Sequence, residues 1–298
     1  MLKKVVILIL LVIFIIIIWL LADTGHKLSA DKLNGDIILS HNLNVYTNKD
    51  DDGIVMYTPS ENKFIKLVKG NFFDINGMEF NREKTRILGV KAKYEDIGKE
   101  PFIFEFDIRN RILSTIIQNK EIKSKGGKSS LMYRPESNDI SFLADDCVYV
   151  LDKSTKNYTP IVKNVFEKYS WNSSGDKIVY GDIEDKIYIY DLKSKQSTEI
   201  LEGRYPVYSN NSKLIAYQGK DYKLTVYNAD TKEEWKSVDL SGHQEYIFSP
   251  DDNYIALATQ YSDISNNPHF EMYVVDYKNN RKTRLFKGEG GIPAFDWK

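Results

Sequence analysis

Catalytic chemistry leaves residue spacings that can be searched for, and this sequence of 298 residues contains few of them. No G-x-S-x-G is present, so a serine nucleophile would lack the strained elbow that exposes it. No H-E-x-x-H, C-x-x-C, P-loop or G-x-G-x-x-G occurs, which removes the usual zinc, redox and nucleotide sites. The four histidines, His26, His41, His243 and His269, are scattered, and each alone reads as a surface or packing residue. Cys147 is the one cysteine, so neither an intrachain disulfide nor a multi-cysteine zinc site can form. It stands in DDCVYVLD with no nearby histidine and reads as a small buried apolar residue.

Oxygen ligands are more plentiful. Asn48-Lys-Asp50-Asp-Asp52-Gly53 matches the first half of a calcium loop, but its twelfth position is Pro59 instead of a bidentate Glu. A hairpin turn explains the same residues. Asp145, Asp146, Asp182, Glu184, Asp185, Asp251 and Asp252 could supply the paired carboxylates of a glycosidase if a fold gathered them. They fall mostly in turns, where Asp favours local hydrogen bonds. No metal or cofactor is expected. Asn157, Asn172 and Asn210 begin glycosylation sequons, which matter only outside bacteria. With 41 basic and 42 acidic residues the net charge is −1, so no broad field attracts nucleic acid or an anionic membrane.

The elements that would position such residues come from a repeat. In Tyr169–Leu201 an aromatic precedes a polar turn, NSSGD. A strand KIVYG, a loop DIED, a strand KIYIYD and a strand STEIL follow. The opening aromatic recurs as Tyr133, Trp171, Tyr208 and Phe248, at spacings of 38, 37 and 40. The Asp or Asn that closes the third strand recurs as Asp107, Asp152, Asp191, Asn228 and Asp276. A period of about 40 with four strands per unit predicts β-propeller blades, which bury both sheet faces only by stacking in a ring. Aromatics at 13 % and scarce Pro fit this all-β reading.

FSPDDNYIALAT, Phe248–Thr259, resembles the WD40-like (PD40) repeat of TolB-type six-bladed propellers, as WNSSGDKIVYG does more loosely. The resemblance covers residues 36–298 and implies the fold without implying site residues. The α/β domain that precedes the propeller in TolB has no counterpart in the sequence, nor does the hydrolase domain of propeller peptidases. Five internal units are complete. The strands after Asn34 lack a first strand, and GIPAFDWK supplies one at the other end, with Pro293-Ala294-Phe295 aligned on Pro206-Val207-Tyr208. Six blades are therefore expected, one shared between the chain ends.

The first 35 residues are of another kind. Residues 1–4 carry Lys3 and Lys4, and residues 5–22, VVILILLVIFIIIIWLLA, hold eighteen uncharged residues, close to a bilayer span. The lysines and Trp19 predict a signal anchor with its N-terminus in the cytoplasm. A cleaved signal peptide is the alternative, but Leu20 and Leu28 occupy the −3 positions of the candidate sites. Residues 23–35 read as a tether and 36–298 as the extracytoplasmic propeller. Richness in Ile, Lys and Asn hints at an AT-rich bacterial source.

In a four-stranded blade A–D, the B–C loop and the D–A connection share one face. The long, variable segments all belong there: residues 93–100, 118–130 and 260–269. Tyr94, Glu95, Asp96, Lys123, Lys125, Lys128, Tyr261, Asp263 and His269 are accordingly the candidate partner-binding residues. The expected function is a monomeric, membrane-anchored binding or scaffolding module whose partner is an envelope protein or wall component. The alternative is a propeller glycosidase or lyase acting on an extracellular polysaccharide. A sensor is a third possibility, disfavoured by a cytoplasmic segment of four residues.

Overall fold

The computed structural model describes residues 33–42, 52–69, 77–91, 102–118, 130–137, 139–240, 244–289, 292 and 294–298. Among them lie six four-stranded antiparallel sheets, each ordered from an inner to an outer strand. Blade 1 comprises β4 (Met78–Phe80), β5 (Arg86–Lys91), β6 (Phe102–Asp107) and β7 (Ile112–Gln118). Blade 2 comprises β8 (Leu131–Tyr133), β9 (Ile140–Ala144), β10 (Cys147–Leu151) and β11 (Tyr158–Lys163). Blade 3 comprises β12 (Tyr169–Trp171), β13 (Lys177–Gly181), β14 (Lys186–Asp191) and β15 (Gln196–Glu202). Blade 4 comprises β16 (Arg204–Tyr208), β17 (Leu214–Gln218), β18 (Lys223–Asn228) and β19 (Glu234–Asp239). Blade 5 comprises β20 (Gln244–Phe248), β21 (Ile255–Ser262), β22 (Pro268–Asp276) and β23 (Arg281–Glu289). Blade 6 joins β1 (Ile37–Asn42), β2 (Asp52–Thr58) and β3 (Lys63–Lys69) to β24 (Ala294–Trp297) from the other end of the chain.

The repeat's regular spacing has a local cause. The Asx residue ending the third strand caps the C–D turn: Asp107 accepts the Asn110 N–H at 2.8 Å, Asp191 that of Ser194 at 2.8 Å, and Asn228 that of Thr231 at 3.1 Å. The polar residue after the aromatic caps the A–B turn: Asn81 accepts the Arg86 N–H and Ser249 the Tyr254 N–H. Such bonds let side chains stand in for ladder partners where the chain reverses.

Both faces of each sheet are apolar, with period two. On β14, Ile187 and Ile189 pack toward blade 4, and Tyr188 and Tyr190 toward blade 2. Each of six apolar clusters lies between two neighbouring blades, and the last of them joins blades 6 and 1. Among the described residues the stacking is therefore closed, each blade packing against a neighbour on both sides.

Closure corrects one expectation. Trp297, not Phe295, holds the opening aromatic position: it pairs with Ile37 as Trp171 pairs with Ile178 and Phe248 with Ile255. A slip of two residues leaves every side chain on its original face, so alternation could not reveal it. Trp297 is fully buried and its indole donates to the Asn34 carbonyl at 2.9 Å. Asp36 and Lys298 exchange both backbone hydrogen bonds, at 2.8 and 3.1 Å, across what would be an A–B turn. Gly35 sits there at φ +87°, where a Cβ would lie 2.5 Å from the Lys298 carbonyl oxygen.

No helix of the described residues is long and apolar enough to cross a membrane, and the expected span at 5–22 lies outside them.

Candidate functional site

The B–C loops of blades 2 to 5 emerge side by side: residues 145–146, 182–185, 219–222 and 263–267. Blade 5 reaches furthest, because β21 and β22 run eight and nine residues where their counterparts in blades 2 to 4 run five or six. Of the predicted residues, this hairpin brings three together. Tyr261 and His269 face each other across the ladder, with rings stacked at 5.4 Å and 22°. His269 Nε2 lies 3.1 Å from Asp263 Oδ2. Asp263 also accepts the backbone N–H groups of Ser265 at 2.8 Å and Asn267 at 2.9 Å. These bonds, that of Asn267 first and then His269, hold its carboxyl well below the usual carboxylate range. The result is a short arm with an aromatic platform, a fixed carboxylate and, at its tip, the fully exposed Ile264.

Tyr94, Glu95, Asp96, Lys123, Lys125 and Lys128 lie outside the described residues, as does most of the calcium-like loop. Gly53, at the turn position of that loop, instead lies within β2, paired with His41 and Lys69. Among the described residues no group of three or more His, Cys, Asp or Glu is arranged to hold a metal. Cys147 is buried, as expected, and desolvation raises its thiol.

The turn carboxylates serve structure. Asp252 is buried and reaches blade 4, accepting the N–H groups of Asn210 at 2.7 Å and Asn211 at 2.9 Å. Asp182 accepts from Glu184 and Lys186 within its own loop, both at 2.9 Å.

A second group went unseen in the sequence. Asp296 and Glu79 occupy inner strands of blades 6 and 1, on the side of the ring axis. Asp296 accepts the Phe80 N–H at 2.8 Å, and Glu79 the Tyr133 N–H at 2.5 Å, so each carboxyl links its blade to the next. Burial first, and the neighbouring Asp296, push the Glu79 carboxyl up from the usual 4.5 to about 8 despite the counteracting Lys298. Against the desolvation that would lower it, Asp296, Glu79 and Asp252 raise the Lys298 ammonium. The signal that could have found this group is the charged residue midway along an inner strand, where blades 2, 4 and 5 carry Met132, Val207 and Ile247 instead.

Two of the clefts among the described residues lie between blades. One of about 210 Å³ lies between blades 1 and 2, where Glu105 ties Arg86 at 3.1 Å to Lys153 at 2.7 Å and accepts the Tyr133 hydroxyl at 2.7 Å. The other, of about 430 Å³ between blades 2 and 3, is lined by Tyr180, Tyr188, Tyr190, Asp182 and Asn164.

The model of the family described as eukaryotic translation initiation factor eIF2A matches residues 133–287, more than half of the chain. The chain belongs to that family. The match spans blades 2 to 5, the blades whose B–C loops form the rim described above. No curated protein matches. Among solved structures, one titled as a nidogen/laminin complex is similar with a TM-score of 0.63 at 9 % identity, covering 88 % of this chain and 97 % of that one. An oligogalacturonate lyase in complex with manganese is similar with a TM-score of 0.49 at 14 % identity, covering 86 % of this chain and 74 % of that one. At such identities the likeness to the nidogen/laminin structure shows the propeller fold alone. The fold is also too widely shared to name an activity, since 1007 solved chains match.

Proposed function

We propose that this eIF2A-family chain is a membrane-anchored extracytoplasmic propeller that binds an envelope protein or wall component through its B–C and D–A face. The observation that carries the reading is the arm at 261–269, a preorganised display of Tyr261, Asp263, Ile264 and His269 on the B–C face, the face to which the order of the repeat assigns residues 93–100 and 118–130. The anchor at 5–22 supports the same geometry. Residues 33–36 join the ring beside Lys298, at the A–B turns, so a bilayer anchor would hold the ring by that face and turn the B–C face outward. The TolB-like resemblance of Phe248–Thr259 belongs to this reading as fold kinship. A net charge of −1 offers no field for RNA, so the reading does not extend to the translation role in the family's description.

The test is capture from envelope extract with a chain beginning near residue 30, expected to be soluble and monomeric. Charge reversal at Lys123, Lys125 and Lys128, or removal of residues 260–269, should weaken capture without lowering the melting temperature. Unchanged capture in both variants would reject this face.

The second reading, a glycosidase or lyase, is favoured by the convergence of Glu79 and Asp296 near the axis. Both carboxyls already accept backbone N–H groups, which leaves them less free for acid–base work. Cleavage of wall polysaccharide by the native chain, lost in Glu79→Gln, would support it.

A further inference from the structure

We propose that the B–C rim of blades 3 to 5, with the tyrosine-lined groove beside it, receives a basic protein segment that carries apolar anchor residues. The proposal deepens the binding role above and rests on it. Isolated exposed hydrophobes are ordinary. Here Ile183 is 77 % exposed, Tyr222 69 % and Ile264 106 %, and the three stand on the B–C loops of three successive blades. Tyr261, 41 % exposed, adjoins the last of them.

Tyr222 carries a second sign. It occupies the left-handed region, at φ +58°. Its carbonyl accepts the Leu240 N–H, as those of Asp146 and Asp185 accept the Val165 and Gly203 N–H groups in the two preceding blades. Asp at φ +56° and +63° tolerates that turn, since its short side chain bonds locally. A tyrosine is costlier there than Asp, as are Lys156, Lys195 and Lys232 in the C–D turns, but unlike those lysines it holds a large ring in water. Strain of this kind collects where a side chain is displayed for a partner, and tyrosine is a preferred anchor of protein interfaces.

Charge selects the partner. The four B–C loops of blades 2 to 5 hold Asp145, Asp146, Asp182, Glu184, Asp185, Asp221 and Asp263 against Lys220 alone. Lys220 is paired with Glu202 at 2.6 Å. Arg204 joins Asp185, Lys236 joins Asp221 at 3.1 Å and Lys186 reaches Glu184 at 3.8 Å, yet carboxylates still outnumber cations on this rim. An acidic rim repels phosphate backbones and anionic lipid, so neither RNA nor a membrane surface fits it. The groove of about 430 Å³ ends at Asp182, next to Ile183. Lys163 also lines this groove, so the rings of Tyr188 and Tyr190 suit an apolar or aromatic anchor, and the basic residues of the segment fall to the carboxylates of the rim beside it.

The test immobilises the full-length chain in detergent micelles and pans it with a phage-displayed library of random peptides. Enrichment of peptides combining Arg or Lys with Trp, Leu or Phe is expected. A synthetic peptide of the leading sequence should bind Ile264→Ser and Tyr222→Asn at least tenfold more weakly than the native chain, and Glu184→Lys several-fold more weakly. Melting should be unchanged in these variants, or raised in Tyr222→Asn, where a residue that tolerates positive φ replaces a strained one. No enrichment, enrichment of acidic peptides, or equal binding by the variants overturns the proposal. The two readings fail separately. An envelope partner captured equally by Tyr222→Asn removes this rim but leaves the binding role standing. Peptides lost in the variants, with no envelope partner captured, leave the rim and remove the envelope role.

Discussion

Glu79 shows how a single side chain is set by its surroundings. Its carboxyl is enclosed near the axis beside Asp296, with Lys298 as the opposing charge, and stays protonated up to about pH 8. The unfolded chain releases that proton near the usual 4.5. Between those values the folded state binds more protons, so stability should fall as pH rises through the window and level off above it. A tenfold difference in proton affinity between the two states corresponds to about 1.4 kcal/mol, which puts the effect at several kcal/mol at most. Glu79→Gln keeps an acceptor for the Tyr133 N–H and has nothing to titrate. Thermal melting from pH 5 to 9 should decline in the native chain and be flatter in the variant; parallel curves would show that Glu79 does not titrate as described. Trp297 is the second decisive residue. It is fully buried in the cluster shared by blades 5 and 6 and bonded to Asn34. Trp297→Ala should cost about 3–5 kcal/mol, the usual range for removing a buried aromatic, measurable as a lower denaturant midpoint.

At the scale of elements, the blade is one hairpin design repeated with different tips. Asx caps fix the C–D turns and small polar caps fix the A–B turns, so those connections stay short. The B–C loops of blades 3 and 5 are capped by Asp182 and Asp263 in the same way, yet blade 5 carries its cap at the end of a longer hairpin, β21 and β22. Asp263 organises that extension by accepting from Ser265, Asn267 and His269. Asp263→Ala should speed amide exchange at residues 263–267 while leaving exchange in blades 2 to 4 and the melting temperature unchanged. A global loss of stability would mean that the arm is part of the core and not a display. Conversely, DIED is too short to stand among the long segments at 93–100, 118–130 and 260–269. Exposure, which length does not report, makes Ile183 part of the rim.

At the scale of the molecule, the ring holds because each apolar cluster belongs to two blades. Removing one strand therefore exposes two blade faces. The last eight residues include β24 together with the Lys298 bonds to Asp36. A chain ending at residue 290 should lose blade 6 as a unit and melt far below the native temperature in one transition. An unchanged melting temperature would contradict closure by the shared blade. Asn34 and Asp36 meet Trp297 and Lys298 on the A–B face, which leaves the acidic, apolar-tipped rim on the opposite side.

Period, alternation and turn residues determined the architecture by themselves, because a blade's hydrogen bonds are local and its faces follow a rule of two. The count of six followed from the incomplete units at the two ends. The register of β24 did not, since a shift of two residues preserves every face and only pairing with Ile37 fixes it. Tyr261, Asp263 and His269 could be proposed from loop length, but their stacking and bonding depend on the register of β21 against β22. The charges of Glu79 and Asp296 midway along inner strands were legible, but their meeting with Lys298 was not, for Glu79 stands more than 200 positions from the other two and joins them only because the ring closes. The strained display of Tyr222 was equally hidden. Its residue type is ordinary in a strand-rich sequence, and only the left-handed backbone and the open space above it give the tyrosine its meaning.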